Sequence, residues 1–439
     1  MKVLIIGGMG LIGGAITEAA VKKGMEVYVC SRRPLFGKYT SLNIVGVQGN
    51  WNDDSFAQQL VSDYFDVIVD TQVFTKKQLI RSLQIINDHC TQYIYISTDS
   101  VYAHPASNVK EDDYIDLEQL KWSYGYNKRD AELYILSHSK EYNFYWTGIR
   151  PTVTWGETRL PVGFASKRNT NTLINRLIEG KPILLFDDIN AKHANCHVSI
   201  FGNAVVDLFL DENAKNQFYH VSDDKAYTYM EIYKIVEDIL GIKGKYVHIS
   251  SNVLKKYNKN LYEEMIYYKD PEFTLDNKKI KKESPNTNYS PNLYDVLKPT
   301  IENLKKSLDK DYEYDIITDL LLYKYNNYII DETEKEIAKK YISSFKANYE
   351  HNFKKYDIYN NIKRNRLLKL FGKILSLLGK GPRKLFGIAK FYYRNGNENG
   401  ENENYTFDRG RRTATNRIRS GFIGLCFKVE EETWADMVA

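Results

Sequence analysis

Short apolar runs rich in β-branched residues alternate with longer segments of helical periodicity over residues 1–150. The apolar runs predict six strands: Lys2–Ile6, Glu26–Cys30, Ile44–Gln48, Asp66–Asp70, Gln92–Ser97 and Tyr145–Arg150. The periodic segments predict four helices: Gly13–Lys23, Ser55–Asp63, Lys76–His89 and Tyr124–His138. Strands that alternate with helices form parallel sheets, and continuously apolar strands are covered on both faces. We therefore predict an α/β fold with a doubly wound parallel sheet.

The pattern changes twice after residue 150. Residues 151–300 carry looser patterns, with helices predicted at Thr170–Glu179 and Tyr229–Leu240 and strands at Lys181–Leu185 and Gln217–Val221. This predicts a smaller substrate-binding lobe, from which the chain can cross back to the sheet. Residues 301–394 have helical periodicity and predict a mainly helical extension that is basic and amphipathic from residue 361. Residues 395–439 open with the low-complexity sequence NGNENGENEN, which predicts a disordered linker and tail.

Composition narrows the class of protein. The chain has 439 residues, 43% of them hydrophobic, which indicates two or three domains. Its net charge of +5 is too mild to indicate nucleic-acid binding. Four cysteines without metal-ligand spacing predict neither a disulfide scaffold nor a metal site, and they favour a reduced, cytoplasmic compartment. The sequence has neither a signal-peptide pattern nor an apolar run long enough to span a membrane.

The first predicted strand leads directly into Gly7-Gly8-Met9-Gly10-Leu11-Ile12-Gly13. Gly7 permits a tight turn, Gly10 lets the backbone approach a pyrophosphate, and Gly13 allows close packing of a helix on the strand. The backbone N–H groups of Leu11 and Ile12, at the helix start, can then bind the phosphates. A glycine-rich turn without a ligand is the alternative. The position between a clear strand and a clear helix favours a Rossmann-type site for a nicotinamide dinucleotide.

The end of the second predicted strand bears on the choice between NAD and NADP. NAD-binding proteins usually have a carboxylate there, which accepts a hydrogen bond from the ribose 2′-hydroxyl. This chain has Ser31, Arg32 and Arg33 instead. Two guanidinium groups can pair with a 2′-phosphate, so the sequence favours NADP over NAD. The alternative is that both arginines are solvated loop residues beside the adenine.

A second group of reactive side chains follows the fifth predicted strand. Thr98 lies at the strand end, and Tyr124 and Lys128 share one face at the start of a helix. A nearby ammonium favours the phenolate, which predicts a lowered pKa for Tyr124. The tyrosine can then exchange a proton with a substrate oxygen held by Thr98, while the nicotinamide takes or gives hydride. This spacing alone is typical of a solvated helix face, but its place behind the glycine motif favours a catalytic site.

Together these motifs resemble the extended short-chain dehydrogenase/reductase family, the NAD(P)-dependent sugar epimerases and dehydratases. The similar segments are GGMGLIGG at 7–14, ISTDSVYA at 96–103, YGYNK at 124–128 and IRPTVTWGE at 149–157. The resemblance implies a nucleotide-activated sugar as substrate and Thr98, Tyr124 and Lys128 as catalytic residues. It also implies that Lys128 and the backbone of Pro151 lie beside the nicotinamide, and that a homodimer forms through the helix Tyr124–His138.

Two segments depart from the pattern of this family. Asp70-Thr71-Gln72-Val73-Phe74 replaces the usual turn of small residues after the fourth strand, and resembles a less characterised, atypical subgroup. Asp99 resembles an acidic residue of the sugar 4,6-dehydratases, but Ser100 stands where those enzymes have a second carboxylate. The sequence therefore favours epimerisation or carbonyl reduction over dehydration.

The predicted function is an NAD(P)-dependent epimerase or reductase that acts on a nucleotide sugar in the cytoplasm. The alternative is a non-catalytic NAD(P)-binding sensor, or a module that binds RNA or a partner through its basic tail. The presence of both Tyr124 and Lys128 disfavours a pure sensor. The basic segment 361–394 itself has two interpretations: peripheral contact with an anionic membrane surface, or packing against the catalytic body or a partner subunit.

Overall fold

The computed structural model describes residues 1–306 except 114–115, 165–169, 187–189 and 257–258, and beyond them Asp315, Thr318, Asp319, Leu321 and Leu322. All described residues belong to one compact unit, Met1–Asp331. The predicted basic segment 361–394 and the predicted tail 395–439 lie outside the described residues.

Strands and helices alternate along the described chain. The strands are β1 Lys2–Ile6, β2 Glu26–Ser31, β3 Ile44–Gln48, β4 Phe65–Asp70, β5 Cys90–Ile96, β6 Ala106–Val109, β7 Tyr145–Pro151, β8 Val153–Trp155, β9 Ile183–Phe186, β10 Asn195–His197, β11 Gln217–Val221, β12 Tyr246–Ile249 and β13 Phe273–Leu275. The helices are α1 Leu11–Lys22, α2 Asp54–Leu60, α3 Lys76–Ile86, α4 Ser123–His138, α5 Asn171–Ile178, α6 Val198–Asp207, α7 Tyr229–Leu240, α8 Lys259–Glu264, α9 Lys278–Glu283 and α10 Leu293–Lys306.

Seven parallel strands form the main sheet in the order β11-β7-β5-β4-β1-β2-β3. The predicted fold class and all six predicted strands are confirmed, with differences of one or two residues at some ends. The run Gln217–Val221 is a strand as predicted, but it joins the main sheet beside β7, so the chain does cross back. The strand order reverses between β1 and β4, and parallel sheets bind ligands at the carboxyl ends of strands at such a reversal.

Both faces of the sheet are covered by helices. On one face α1 and α6 pack closely, and a Cβ atom on Gly202 would lie 2.2 Å from the carbonyl oxygen of Ala15. On the other face, apolar side chains of α2, α3 and α4 cover the alternate residues of β1, β4 and β5. The middle parts of these strands are buried on both sides, which explains why they contain apolar runs such as Val67–Val69 and Tyr93–Ile96.

A smaller lobe is built from α5, α7, α10 and the two-stranded sheet of β9 and β12. Thr228 and Glu231 form a capping box at the start of α7, and Gly241 ends this helix with φ +68°. Both helices predicted for this part of the chain are present.

The first part of the extension packs on this lobe. Arg176 of α5 is buried and pairs with Asp315 and, at 2.8 Å, with Asp319. Leu321 and Leu322 are buried in the same cluster as Met265. Within the described part of the chain, no helix is long and apolar enough to cross a membrane.

Candidate active site

The loop between β1 and α1 leaves its backbone open to a ligand. Gly7 has φ +80°, which favours glycine, and its N–H donates to the carbonyl of Cys30 at 2.9 Å. A Cβ on Gly13 would lie 2.3 Å from the carbonyl oxygen of Gly7, whereas one on Gly10 would have this oxygen at 3.5 Å as its nearest neighbour. Helix α1 then begins at Leu11 with no acidic side chain in its first turn. This open cradle and the free N–H groups fit the diphosphate of a dinucleotide.

The two glycines are expected to respond differently to substitution. Gly10→Ala should fold like the parent protein because the added Cβ meets no closer protein atom than 3.5 Å. Its dinucleotide affinity should nevertheless fall roughly ten- to a hundredfold, because the methyl group would hold the diphosphate away from the backbone N–H groups. Each hydrogen bond to a charged group contributes about 1.5–3 kcal/mol. Gly13→Ala should lower both affinity and thermal stability because the new Cβ would collide with the backbone of Gly7. Calorimetric titration with NAD and NADP and thermal denaturation test this; unchanged affinity in Gly10→Ala would place the diphosphate elsewhere.

The end of β2 lies beside this loop, because Gly7 is hydrogen bonded to Cys30. Ser31 is the last residue of β2, and its hydroxyl accepts from the N–H of Arg33 at 3.2 Å. The side chains of Arg32 and Arg33 are exposed, and among the described residues neither is paired with a carboxylate. Two guanidinium groups are therefore available where the predicted 2′-phosphate would bind.

Thr98 and Tyr124 lie in hydrogen-bonding contact at the carboxyl end of β5. Thr98 caps a short turn, and its side chain accepts from the N–H of Ser100 at 3.2 Å. Helix α4 approaches this turn closely because Gly125 has no side chain, and a Cβ there would lie 2.1 Å from the carbonyl oxygen of Ser100. Tyr124, in the first turn of α4, is thereby brought against Thr98, and their hydroxyl groups hydrogen bond.

Lys128 is buried one turn further along α4, with its ammonium 5.9 Å from the centre of the Tyr124 ring. Nζ donates to the carbonyl of Ile96 at 2.8 Å and to that of Val73. Burial lowers the pKa of Lys128 to about 7, although the carboxylates of Asp70 and Glu132 act in the opposite direction. The structure therefore brings Thr98, Tyr124 and Lys128 together.

The prediction of a lowered pKa for Tyr124 is wrong. Burial and the nearby carboxyl of Asp99 raise the pKa of Tyr124 to about 12, and the hydrogen bond with Thr98 offsets part of this rise. The physical reason is that Lys128 points at two backbone carbonyls and not at the phenol. Tyr124 is therefore a neutral phenol near pH 7.

Asp99 faces the same site from the turn after β5. Its carboxyl is buried and accepts from the hydroxyl of Tyr268 at 2.9 Å and from that of Thr98 at 3.2 Å. Burial raises the pKa of Asp99 to about 7, so this group can donate or accept a proton near neutral pH. Tyr268 belongs to a short π-helix, Met265–Lys269, and stacks on Trp122. Sequence reasoning missed Tyr268 because no motif marks it and it lies far from Asp99 in the chain.

A buried ionic network anchors α4 behind the site. Glu132 is fully buried, and its two carboxylate oxygens accept from Nε and Nη2 of Arg150, each at 2.9 Å. The hydroxyl of Ser97 donates to Glu132 at 2.6 Å, and Nη1 of Arg129 donates to it at 3.0 Å. Because Glu132 lies one turn beyond Lys128, this network fixes the helix that carries the candidate catalytic residues. The resemblance pointed to the segment that contains Arg150, but not to its partner.

Pro151 ends β7 and is buried in the sheet. It pairs in register with Val221 of β11, while the preceding Ile149 accepts from the N–H of Ser97 at 2.7 Å. The backbone of Pro151 thus lies at the same carboxyl edge of the sheet as Thr98. Among the described residues, no group of histidine, cysteine, aspartate and glutamate side chains is arranged to hold a metal ion.

Comparison with family models is decisive for the class of protein. Residues 3–221 match the model of the NAD dependent epimerase/dehydratase family. Residues 3–221 of the chain belong to this family. The matched region contains the glycine loop, the end of β2 and the group of Thr98, Tyr124 and Lys128. No curated protein matches the sequence.

Solved structures of epimerases share the fold of this chain over 70% of its length. A UDP-glucuronic acid 4-epimerase from Bacillus cereus, in complex with UDP-glucuronic acid and NAD, is 19% identical with a TM-score of 0.55, and the match covers 70% of this chain and 99% of that one. A UDP-glucose 4-epimerase from Thermotoga maritima, with UDP-glucose, is 18% identical with a TM-score of 0.55, covering 70% and 100%. A UDP-glucose 4-epimerase from Thermus thermophilus, in complex with NAD, is 16% identical with a TM-score of 0.52, covering 70% and 100%.

Proposed function

We propose that this protein is an NAD(P)-dependent enzyme that epimerises or reduces a nucleotide-activated sugar. The observation that carries the proposal is the convergence of Thr98, Tyr124 and Lys128 at the carboxyl end of β5. The turn after β4 lies between this group and the glycine loop: its Val73 accepts from Lys128, and a Cβ on Gly7 would lie 2.3 Å from its Thr71 hydroxyl. A non-catalytic sensor would not need a proton-transfer group at this place, so the convergence favours an enzyme.

Each residue of the site has a definite task in this proposal. A bound nicotinamide supplies the chemistry that this chain lacks, which is acceptance and return of hydride. When the sugar is oxidised, Tyr124 accepts the hydroxyl proton while its own phenol proton passes along its hydrogen bond with Thr98 to the carboxylate of Asp99, and in reduction the protons move in the opposite direction. Thr98 also contacts the reacting sugar oxygen. The open backbone from Gly10 to Gly13 holds the diphosphate of the dinucleotide, and Lys128 and the backbone of Pro151 bind its nicotinamide end.

The substrate class follows from family membership and from what the similar enzymes bind. The structural relatives named above were solved with UDP-glucuronic acid, UDP-glucose or NAD. We therefore expect a nucleoside diphosphate sugar with a free hydroxyl at the reacting carbon for epimerisation, or with a carbonyl there for reduction. Removal of hydride from the hydroxyl-bearing carbon and its return to the opposite face gives epimerisation, whereas net transfer of hydride from the reduced cofactor to the carbonyl carbon gives reduction.

Incubation with a panel of nucleotide sugars tests the proposal. The purified chain would be mixed with NAD, NADP or their reduced forms and with UDP-hexoses, UDP-N-acetylhexosamines, UDP-uronic acids and UDP-keto-hexoses, and the products would be identified by proton NMR. We expect inversion at one sugar carbon or loss of one carbonyl group. The absence of turnover with every sugar, together with unimpaired dinucleotide binding, would overturn the proposed substrate class.

A second candidate reaction is the elimination of water from the sugar. The observation that favours it is the carboxyl of Asp99, whose pKa of about 7 suits a proton donor or acceptor and which lies 3.2 Å from the Thr98 hydroxyl. Ser100 lies where the resembling dehydratases have a second carboxylate, so epimerisation or reduction remains the first candidate. The same NMR assay separates the reactions because dehydration yields a deoxy-keto sugar.

We propose NADP as the preferred cofactor because of Arg32 and Arg33. The variant with both arginines changed to alanine should bind NADP roughly ten- to a hundredfold more weakly, since each charge-assisted hydrogen bond contributes about 1.5–3 kcal/mol. Its affinity for NAD should change little, because NAD has no 2′-phosphate. Titration of parent and variant with both dinucleotides measures the effect. Parallel losses for NAD and NADP, or tighter binding of NAD by the parent protein, would contradict the preference.

We also propose that the protein forms a homodimer through α4, because this helix exposes the large apolar side chains Tyr126, Leu133 and Leu136. The cytoplasm stays the predicted location. Peripheral membrane contact through residues 361–394 also stays a prediction.

A further inference from the structure

The turn after β4 departs from the family pattern, and the structure connects it with both halves of the proposed site. Asp70 ends β4, and Val73 lies three residues further along the chain. The carbonyl of Val73 accepts from Nζ of Lys128. On the other side of the turn, the side chains of Thr71 and Gln72 pack against Gly7. A Cβ atom on Gly7 would lie 2.3 Å from the hydroxyl oxygen of Thr71 and 2.6 Å from Nε2 of Gln72. The position of this turn therefore affects the glycine loop and Lys128 together.

Asp70 shapes the turn through its buried carboxylate. Oδ1 accepts from the N–H of Gln72 at 2.8 Å, which closes the turn. Oδ2 accepts from the hydroxyls of Ser82 at 2.8 Å and Tyr93 at 3.2 Å. Asp70 is completely buried, so these three donors replace the water that a carboxylate would otherwise bind.

The carboxylate of Asp70 also places a negative charge near the ammonium of Lys128. Burial raises the pKa of Asp70, while its three hydrogen bonds and the charge of Lys128 act against this rise. The titratable groups that face Lys128 are Asp70 from β4, Glu132 from its own helix, Tyr95 from β5 and Tyr124. Glu132 is already engaged by two arginines. Asp70 accepts from the neutral donors Gln72, Ser82 and Tyr93, so its charge is less neutralised by other cations than that of Glu132.

We propose that Asp70 is a positioning residue of this enzyme: its carboxylate fixes the turn 70–74, which holds Lys128 through Val73, and keeps Lys128 in the charged form that binds the dinucleotide. This inference rests on the proposed role of Lys128 in cofactor binding. It explains why a buried acid occupies a turn for which the family pattern has small residues.

The charges around Lys128 determine in which direction Asp70→Asn should shift the pH dependence of dinucleotide affinity. Burial brings the pKa of Lys128 down to about 7, and the charge of Asp70 opposes this decrease. Asp70→Asn retains an acceptor for the N–H of Gln72 but removes the charge, so the pKa of Lys128 falls further. The ammonium is then lost at a lower pH. Dinucleotide affinity in the variant should therefore begin to decline at a lower pH than in the parent protein.

The experiment measures the Kd for NADP, or for NAD if that binds more tightly, between about pH 5.5 and pH 9 by calorimetric titration. The parent affinity should decline above about pH 7 as Lys128 deprotonates. In Asp70→Asn the decline should begin about one pH unit lower. Asp66→Asn is the matched control, because Asp66 lies at the amino end of the same strand, opposite the carboxyl end that carries the site, and accepts from the backbone N–H of Lys2. Its curve should superimpose on that of the parent.

If Asp70→Asn does not fold, Ser82→Ala tests the same carboxylate. It removes a hydrogen bond that lowers the pKa of Asp70 and leaves the turn unchanged, so Asp70 is protonated over more of the pH range. The curve of dinucleotide affinity against pH should therefore move in the same direction by a smaller amount. Curves of folded Asp70→Asn or Ser82→Ala that superimpose on the parent would overturn the inference. Failure of the proposed function gives a different result: either no dinucleotide binds at all, or the shift occurs and no nucleotide sugar is converted.

Discussion

Tyr124→Phe is expected to lower kcat for sugar conversion by roughly 10²- to 10⁴-fold, the usual contribution of a positioned proton-transfer group. The phenol is the group in contact with Thr98, and its pKa of about 12 keeps it protonated near neutral pH. Phenylalanine retains the ring and removes the proton that would be exchanged with the sugar oxygen. Dinucleotide affinity should stay within about twofold, because the diphosphate cradle lies on another loop.

Tyr126→Phe provides the matched control for this loss. Tyr126 lies two residues further along α4, and its side chain is 41% exposed. Its substitution should leave kcat and KM unchanged. Steady-state kinetics on parent, Tyr124→Phe and Tyr126→Phe protein decide the matter. Equal activity in all three would show that proton transfer does not depend on Tyr124.

Glu132→Gln is expected to destabilise the protein by about 3–5 kcal/mol, because loss of one partner leaves buried charge uncompensated. The substitution keeps the shape of the side chain but removes the carboxylate to which Arg150 and Arg129 both donate. Arg150 is fully buried and has no access to water at this position. The free energy of unfolding, measured by urea denaturation, should fall by this amount.

Glu141→Gln is the control for Glu132→Gln, since Glu141 is an exposed residue shortly after α4. Its effect should be within about 0.5 kcal/mol, as for most surface substitutions. A loss of less than about 1 kcal/mol in Glu132→Gln would mean that the network does not anchor α4.

The central sheet could be predicted from sequence because its strands are buried on both faces. A strand such as β1 is then apolar from Val3 to Ile6, and this composition is visible without any tertiary knowledge. The glycine loop was predictable for a related reason. Close approach of backbone to backbone, as between Gly13 and Gly7, leaves room for no other residue type.

The electrostatics of the site could not be predicted in this way. The spacing of Tyr124 and Lys128 correctly indicated a shared helix face, but not that Lys128 would point at the carbonyls of Val73 and Ile96. The contact of Asp99 with Tyr268 joins residues far apart in the chain, and only the tertiary structure brings them together. Such contacts depend on the angle between elements, which periodicity does not encode.

The most direct test of the proposed activity is the absorbance of reduced nicotinamide in a single turnover. Protein loaded with NAD or NADP would be mixed rapidly with each nucleotide sugar of the panel, and the near-ultraviolet band of the reduced cofactor followed in time. The proposal predicts that the band appears with at least one sugar that has a hydroxyl at the reacting carbon, or that protein loaded with the reduced cofactor loses the band with a keto-sugar, and that Tyr124→Phe strongly slows either change. A loaded protein that binds the sugars and shows neither change would contradict hydride transfer at the site of Thr98, Tyr124 and Lys128.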